Sequence, residues 1–149
     1  MKEFNIYPLP EQILIEVDQY DEFSNGLLIA LHNRPWNAVK LFEWRNIAQV
    51  SVVKKFVTPN AFQYFVPSLL LGSIREPEFL NYGLEAILPN NQKRIEKGDW
   101  WFDFRARFSN GQVRVVQEFL FASMYVCSVG SEEAAMIDTA LTIWGVEKE

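Results

Sequence analysis

Three helix-start signals constrain the fold of this chain more than any other feature. Thr58 followed by Pro59 is typical of a helix start, because a threonine N-cap accepts an unpaired backbone N–H and proline suits the first turn. Ser109 with Gln112 three residues later forms a capping box. Ser131 precedes two glutamates, whose charge suits the positive end of a helix dipole. The sequence therefore predicts helices that begin close to residues 59, 110 and 132.

Apolar spacing extends this pattern over the rest of the chain. Apolar residues recur every three or four positions after each start, as on one face of a helix. The same spacing predicts a helix from Pro10 to a stop at Asn25-Gly26, a helix from Trp36 to about residue 50, and a helix from Pro77 to Pro89. No segment has the composition of a linker, so we expect one all-α domain over residues 1–149, a bundle of about five to six helices.

Some segments fit more than one structure. Residues 47–57 are rich in valine and fit a helix or a strand. Trp100, Phe102 and Phe104 alternate with polar residues, as in a short strand, whereas the spacing of Phe104 and Phe108 suits a helix. We favour a helix or an irregular segment for residues 99–105. Pro67 predicts a kink or a break into two shorter helices, and the helix after Ser109 is expected to be the central buried one.

Composition excludes several kinds of site. The chain has one cysteine, Cys127, and one histidine, His32, so it cannot form a multi-cysteine or multi-histidine zinc site or an internal disulfide. We interpret Cys127 as a buried, inert thiol and His32 as structural or solvent-facing. Glycine-rich phosphate loops are absent from the sequence. The sequence thus predicts no catalytic residue, no cofactor and no metal.

The candidate contact residues follow from charge and aromatic content. The net charge is −5, and Lys2 is the only basic residue among the first 25. Acidic residues would lie at i,i+3 and i,i+4 on one helix face, and tyrosine and tryptophan are common anchors of protein interfaces. The candidate partner-binding residues are Asp18, Tyr20, Asp21, Glu22, Tyr64 and Trp101.

Other binding classes have weaker support. The basic residues from Lys93 to Arg107 are interleaved with tryptophans, a pattern of single-stranded nucleic-acid binding, but acidic residues share the window and the whole chain is acidic. The charge-free stretch 56–74 contains two prolines and reads as a buried helix, not a membrane span. The N-terminus lacks the apolar run of a signal peptide. We expect a cytoplasmic protein that binds neither nucleic acid nor membrane.

The segment from Thr58 to Pro67, followed by a run of leucines, resembles a motif of small bacterial proteins of unknown function. Its pattern is Thr-Pro-x-Ala-Phe-x-Tyr-aromatic-x-Pro. Those proteins also have an upstream tryptophan, here Trp36, and a downstream Ser/Thr-x-x-Gln before a Phe-Leu pair, here Ser109 to Gln112. The resemblance covers about residues 35–125. It implies no established activity and therefore assigns no catalytic residue.

These observations predict a non-enzymatic module that binds another protein. Its size and acidity are similar to those of immunity or antitoxin-type proteins, and opposite charge would speed association with a basic partner. The alternative is a small-molecule-binding protein or an enzyme. That alternative requires either the cluster of Asp18, Asp21 and Glu22, or the pair of His32 and Cys127, to lie in one pocket.

Overall fold

The computed structural model describes residues 1–16 and 21–145. Within these ranges the chain forms eight α-helices and two short 3-10 turns and has no sheet. The helices are α1 (Glu22–Leu31), α2 (Leu41–Ile47), α3 (Val50–Phe56), α4 (Pro59–Arg75), α5 (Leu80–Ala86), α6 (Asp99–Ala106), α7 (Asn110–Val126) and α8 (Glu132–Trp144). The 3-10 turns are Trp36–Ala38 and Pro77–Phe79. The all-α class is confirmed, with more helices than the five to six expected.

All three predicted helix starts are present. Thr58 Oγ1 accepts the N–H of Ala61 at 3.1 Å. Ser109 and Gln112 form the capping box, with the Ser109 N–H donating to Gln112 Oε1 at 3.0 Å. Ser131 accepts the N–H at the start of α8 in the same way. Local capping chemistry thus determined where α4, α7 and α8 begin.

Helix α4 lies at the centre of the core, and the expectation that α7 is the central helix is wrong. Nine residues of α4 are buried, including Phe62, Phe65 and Leu69, each with no exposed surface. The helix packs against α2, α5, α6 and α7. It runs through Pro67 without a break, which excludes the alternative of two short helices. In α7 the predicted apolar face includes Met124, yet that side chain is about half exposed.

The helix predicted from Pro10 is wrong. Residues 13–15 are extended and pair with residues 56–58, through an isolated bridge between Leu14 and Val57. Ile13 and Leu14 are both buried because this strand-like segment lies across the core. The helix begins instead at Glu22, and Asn25 and Gly26 lie inside it. Burial of Leu27 and Leu31 outweighs the helix propensity lost at a glycine, which is about 1 kcal/mol.

The helix expected from Trp36 is divided, and the strand considered for residues 47–57 is absent. Lys40 and Ala48 are extended, so a 3-10 turn, α2 and α3 replace one continuous helix. The guanidinium of Arg34 fixes this arrangement. It pairs with Glu43 at 2.6 Å and donates to the carbonyls of Ala30 and Ala38. Contacts distant in sequence therefore decided the breaks.

Residues 99–106 form α6, so the alternative of a strand there is wrong. The aromatic residues of this helix build one end of the core. Trp100 stacks on Phe104 with 5.2 Å between ring centroids, and Phe104 contacts Phe62 and Phe108 edge-on or tilted. Trp144 of α8 packs on Trp101 and donates its indole N–H to the carbonyl of Ile87 at 2.6 Å.

Candidate functional site

The acidic candidates do not form one helix face. Asp18 and Tyr20 lie outside the described residues. Asp21 is the N-cap of α1, accepting the N–H of Phe23 at 3.0 Å and the hydroxyl of Ser24 at 2.8 Å. The Ser24 hydrogen bond lowers the pKa of the Asp21 carboxyl. Glu22 is exposed in the first turn of α1. The helix predicted from Pro10 would have these residues near its C-terminal end, whereas Asp21 and Glu22 lie at the N-terminal end of α1.

Tyr64 holds three segments of the chain together. Its hydroxyl accepts the backbone N–H of Trp36 at 3.0 Å and donates to the carbonyl of Ile6 at 2.6 Å. Burial raises the pKa of this phenol. Trp36 is itself buried, and its indole Nε1 has no hydrogen-bond partner within the described part of the chain. Tyr64 therefore links the N-terminal segment to the turn before α2.

The separated parts of the motif described above converge around the N-terminal half of α4. Gln63 donates to Gln112 at 3.1 Å, and Gln112 in turn donates to the carbonyl of Glu3. Thr58 donates to the carbonyl of Gln12 at 2.9 Å. A cavity of about 750 Å³ lies between this face of α4 and residues 4–12. Its walls are mostly polar, because the hydroxyl and amide groups that hold the N-terminal segment also face the opening.

Trp101 is a core residue in this structure. It is 4% exposed, and its indole N–H donates to Glu96 at 3.0 Å. It also lines a cavity together with Trp100.

Lys54 is a buried lysine that sequence reasoning missed. Its ammonium donates to the carbonyls of Glu85 and Leu88, at the end of α5. Burial lowers the pKa of Lys54 to about 7, against a raising effect from Glu85. The available signal was the spacing of Lys54, four positions after Val50 and one after Val53, which places it on the apolar face of a valine-rich helix.

Five exposed apolar side chains lie between residues 121 and 129, where α7 leaves the core, and sequence reasoning did not single them out. The last buried residue of α7 is Ser123. Beyond it the side chain of Tyr125 is 91% exposed and that of Val129 fully exposed. We call this surface the α7 apolar end; it comprises Phe121, Met124, Tyr125, Val126 and Val129.

The alternative catalytic pair is not assembled. His32 is exposed at the end of α1, and Cys127 is partly exposed at the end of α7, so the expectation of a buried thiol is wrong. No hydrogen bond joins the two side chains in the described ranges. Residues 1–16 and 21–145 also contain no group of three or more acidic, histidine or cysteine side chains placed to hold a metal ion. None of the helices described is long and apolar enough to cross a membrane.

Comparison with known proteins gives no match: no family model, curated protein or solved structure is similar to this chain.

Proposed function

We propose that this protein is a non-enzymatic module that binds a basic partner protein through the α7 apolar end. The observation that carries this proposal is the exposure of Phe121, Met124 and Tyr125 on consecutive turns of one helix. Large contiguous apolar patches on the surface of a soluble monomer mark interaction sites. Tyrosine and methionine are also enriched among interface residues.

The charge around this surface indicates the chemistry of the partner. Between Arg114 and the last described residue at 145 the sequence has no lysine or arginine. Glu118 lies one turn before Phe121, and Glu132 follows Val129 by three residues; both are exposed. An apolar surface whose charged neighbours in sequence are acidic favours a partner whose apolar contact surface is bordered by lysine or arginine. A cytoplasmic setting, where Cys127 stays reduced, fits this role.

The sequence-based candidates Asp21, Glu22 and Tyr64 remain candidate contact residues for such a partner. They carry less of the argument, because Asp21 and Tyr64 are engaged in capping and in holding the N-terminal segment. An immunity-like role is one form of this proposal, in which the basic partner is a toxin.

Native affinity capture with three matched chains tests the proposal. The chains are the natural protein, Tyr125→Ser, and Ile29→Ser as the control, since Ile29 is 83% exposed on α1. We expect one stoichiometric partner that the natural chain and Ile29→Ser retain and Tyr125→Ser loses. Cross-links should map to the α7 apolar end, and Glu132→Lys should slow association at low salt.

Three outcomes would overturn the proposal. The first is a partner that Tyr125→Ser retains as well as the natural chain does. The second is capture of nothing by the natural chain. The third is a dimer that light scattering detects for the natural chain and not for Tyr125→Ser. That result would mean that the α7 apolar end binds a second copy of this chain. Urea unfolding of each variant checks that the exposed substitutions leave stability within about 0.5 kcal/mol.

A further inference from the structure

A second cavity lies on another part of the molecule, between α3 and the start of α6. It has a volume of about 410 Å³, within the range of small-ligand sites. Trp100, which is partly exposed, and Trp101, which is nearly buried, line it, and Ile15 adds apolar surface. We call it the Trp100–Trp101 pocket. The aromatic wall is rigid, because Trp100 stacks on Phe104 and donates its N–H to the carbonyl of Val57 at 2.9 Å.

Three lysines border the same pocket, and no carboxylate among the described residues lines it. Lys54 is fixed by its two carbonyl acceptors, so it contributes the stem of its side chain and a held ammonium group. Lys55 and Lys97 are exposed, and neither has an ion-pair partner within residues 1–16 and 21–145. Of the carboxylates near the pocket, Glu85 pairs with Arg94, Glu96 accepts the indole N–H of Trp101, and Asp99 lies in the first turn of α6.

Helix α6 begins beside the pocket with Gly98 as its N-cap, which supplies no side-chain acceptor to the first-turn N–H groups. Asp99 already places a carboxylate in the first turn of α6, so the positive groups that the pocket offers to an anion are Lys55 and Lys97. Cationic groups beside tryptophan faces are a combination that binds a flat ring with a negatively charged substituent.

We propose that the Trp100–Trp101 pocket binds a small aromatic anion, with its ring system against the partly exposed indole of Trp100 and its acidic group at Lys55 and Lys97. This site differs in place and chemistry from the α7 apolar end. The two proposals are tested by different substitutions, so one proposal can fail while the other holds.

Two fluorescent probes with the same ring systems separate charge recognition from apolar binding. The anionic probe is 8-anilino-1-naphthalenesulfonate, and its neutral counterpart is N-phenyl-1-naphthylamine. We expect one molecule of the anionic probe to bind each chain. Lys55→Gln and Lys97→Gln should each weaken that binding by about fivefold to tenfold, as loss of one charge-assisted contact does, and leave the neutral probe unaffected.

Lys93→Gln is the matched control, because Lys93 is exposed in the same loop and does not line the pocket. Its affinity for the anionic probe should equal that of the natural chain. The indole N–H signals in NMR spectra locate the probe. Those of Trp100 and Trp101 should shift on titration, whereas that of Trp44, which donates to Ser68 in another part of the core, should not.

The proposal is wrong if both probes bind equally, if Lys55→Gln and Lys97→Gln bind the anionic probe as tightly as the natural chain, or if Tyr125→Ser abolishes binding. That last result would place the probe on the α7 apolar end. A short oligothymidine that displaces the probe, and that Lys93→Gln binds more weakly, would assign the surface to single-stranded nucleic acid and also overturn the proposal.

Discussion

The backbone N–H of Trp36 donates a hydrogen bond of 3.0 Å to the hydroxyl of Tyr64, 28 residues further along the chain. The same hydroxyl donates to the carbonyl of Ile6 at 2.6 Å. One oxygen therefore satisfies two backbone groups from segments that no helix joins. This arrangement accounts for the partly buried position of Tyr64 in α4, next to the buried Phe65.

Replacement of Tyr64 by phenylalanine should destabilise the protein by about 1–3 kcal/mol, because it leaves a partly buried N–H and a carbonyl without their partner. Urea unfolding measures this difference. Tyr125→Phe is the control, since Tyr125 is 91% exposed and its loss of a hydroxyl should be neutral. Equal stabilities for the two variants would show that the Tyr64 hydroxyl contributes nothing.

Two glycines should respond in opposite directions to replacement by alanine. A Cβ at Gly83 would lie 2.7 Å from a ring carbon of Phe119 and 2.8 Å from Ser73 Oγ, where α5 packs closely on its neighbours. Gly83→Ala should therefore cost about 1–3 kcal/mol. A Cβ at Gly26, inside α1, would meet nothing within 4 Å.

Gly26→Ala should accordingly stabilise the protein by about 0.5–1 kcal/mol, through helix propensity alone. Thermal unfolding of both variants checks this prediction: the melting temperature of the natural chain should lie above that of Gly83→Ala and below that of Gly26→Ala. Stabilisation by alanine at Gly83 would contradict the close approach of α5 to α7.

The buried ammonium of Lys54 should make stability depend on pH. Its pKa is lowered by burial to about 7 in the folded chain, from about 10.5 when exposed. Between these values the unfolded chain binds more protons, so the free energy of unfolding rises with pH. This contribution is complete above about pH 10.5 and is lost as the pH falls towards 7.

Subtraction of Lys54→Met isolates this contribution. The difference in unfolding free energy between the natural chain and Lys54→Met should grow by about 2 kcal/mol from about pH 7 to pH 9. Lys55→Met is the control, because Lys55 is exposed in the same helix. A difference that stays constant over this interval would mean that Lys54 keeps an ordinary pKa.

The sequence predicts some helix starts correctly and the segment after Pro10 wrongly. Capping at Thr58, Ser109 and Ser131 is a contact within four residues, so the chemistry of those residues was sufficient to locate α4, α7 and α8. The segment after Pro10 shows the opposite case. Its apolar spacing fits a helix, yet Ile13 and Leu14 pair with residues 56–58, and no local pattern contains that distant partner.

The candidate sites divide in the same way. Sequence reasoning selected Tyr64 and Trp101 as aromatic residues of interest, but only packing decides which aromatic rings are buried. It could not select the α7 apolar end, because the exposure of Tyr125 depends on where α7 leaves the core. Nor could it show how a buried Lys54 is stabilised, since the carbonyls that accept its hydrogen bonds lie more than 30 residues away.

The sequence by itself determined the all-α class and three helix starts, because capping and apolar periodicity act within one or two turns of chain. Tertiary structure decided which helix is central, which lysine is buried beside the two tryptophans, and which apolar side chains stay outside. Those outcomes depend on contacts between segments dozens of residues apart, and each segment alone is compatible with several of them.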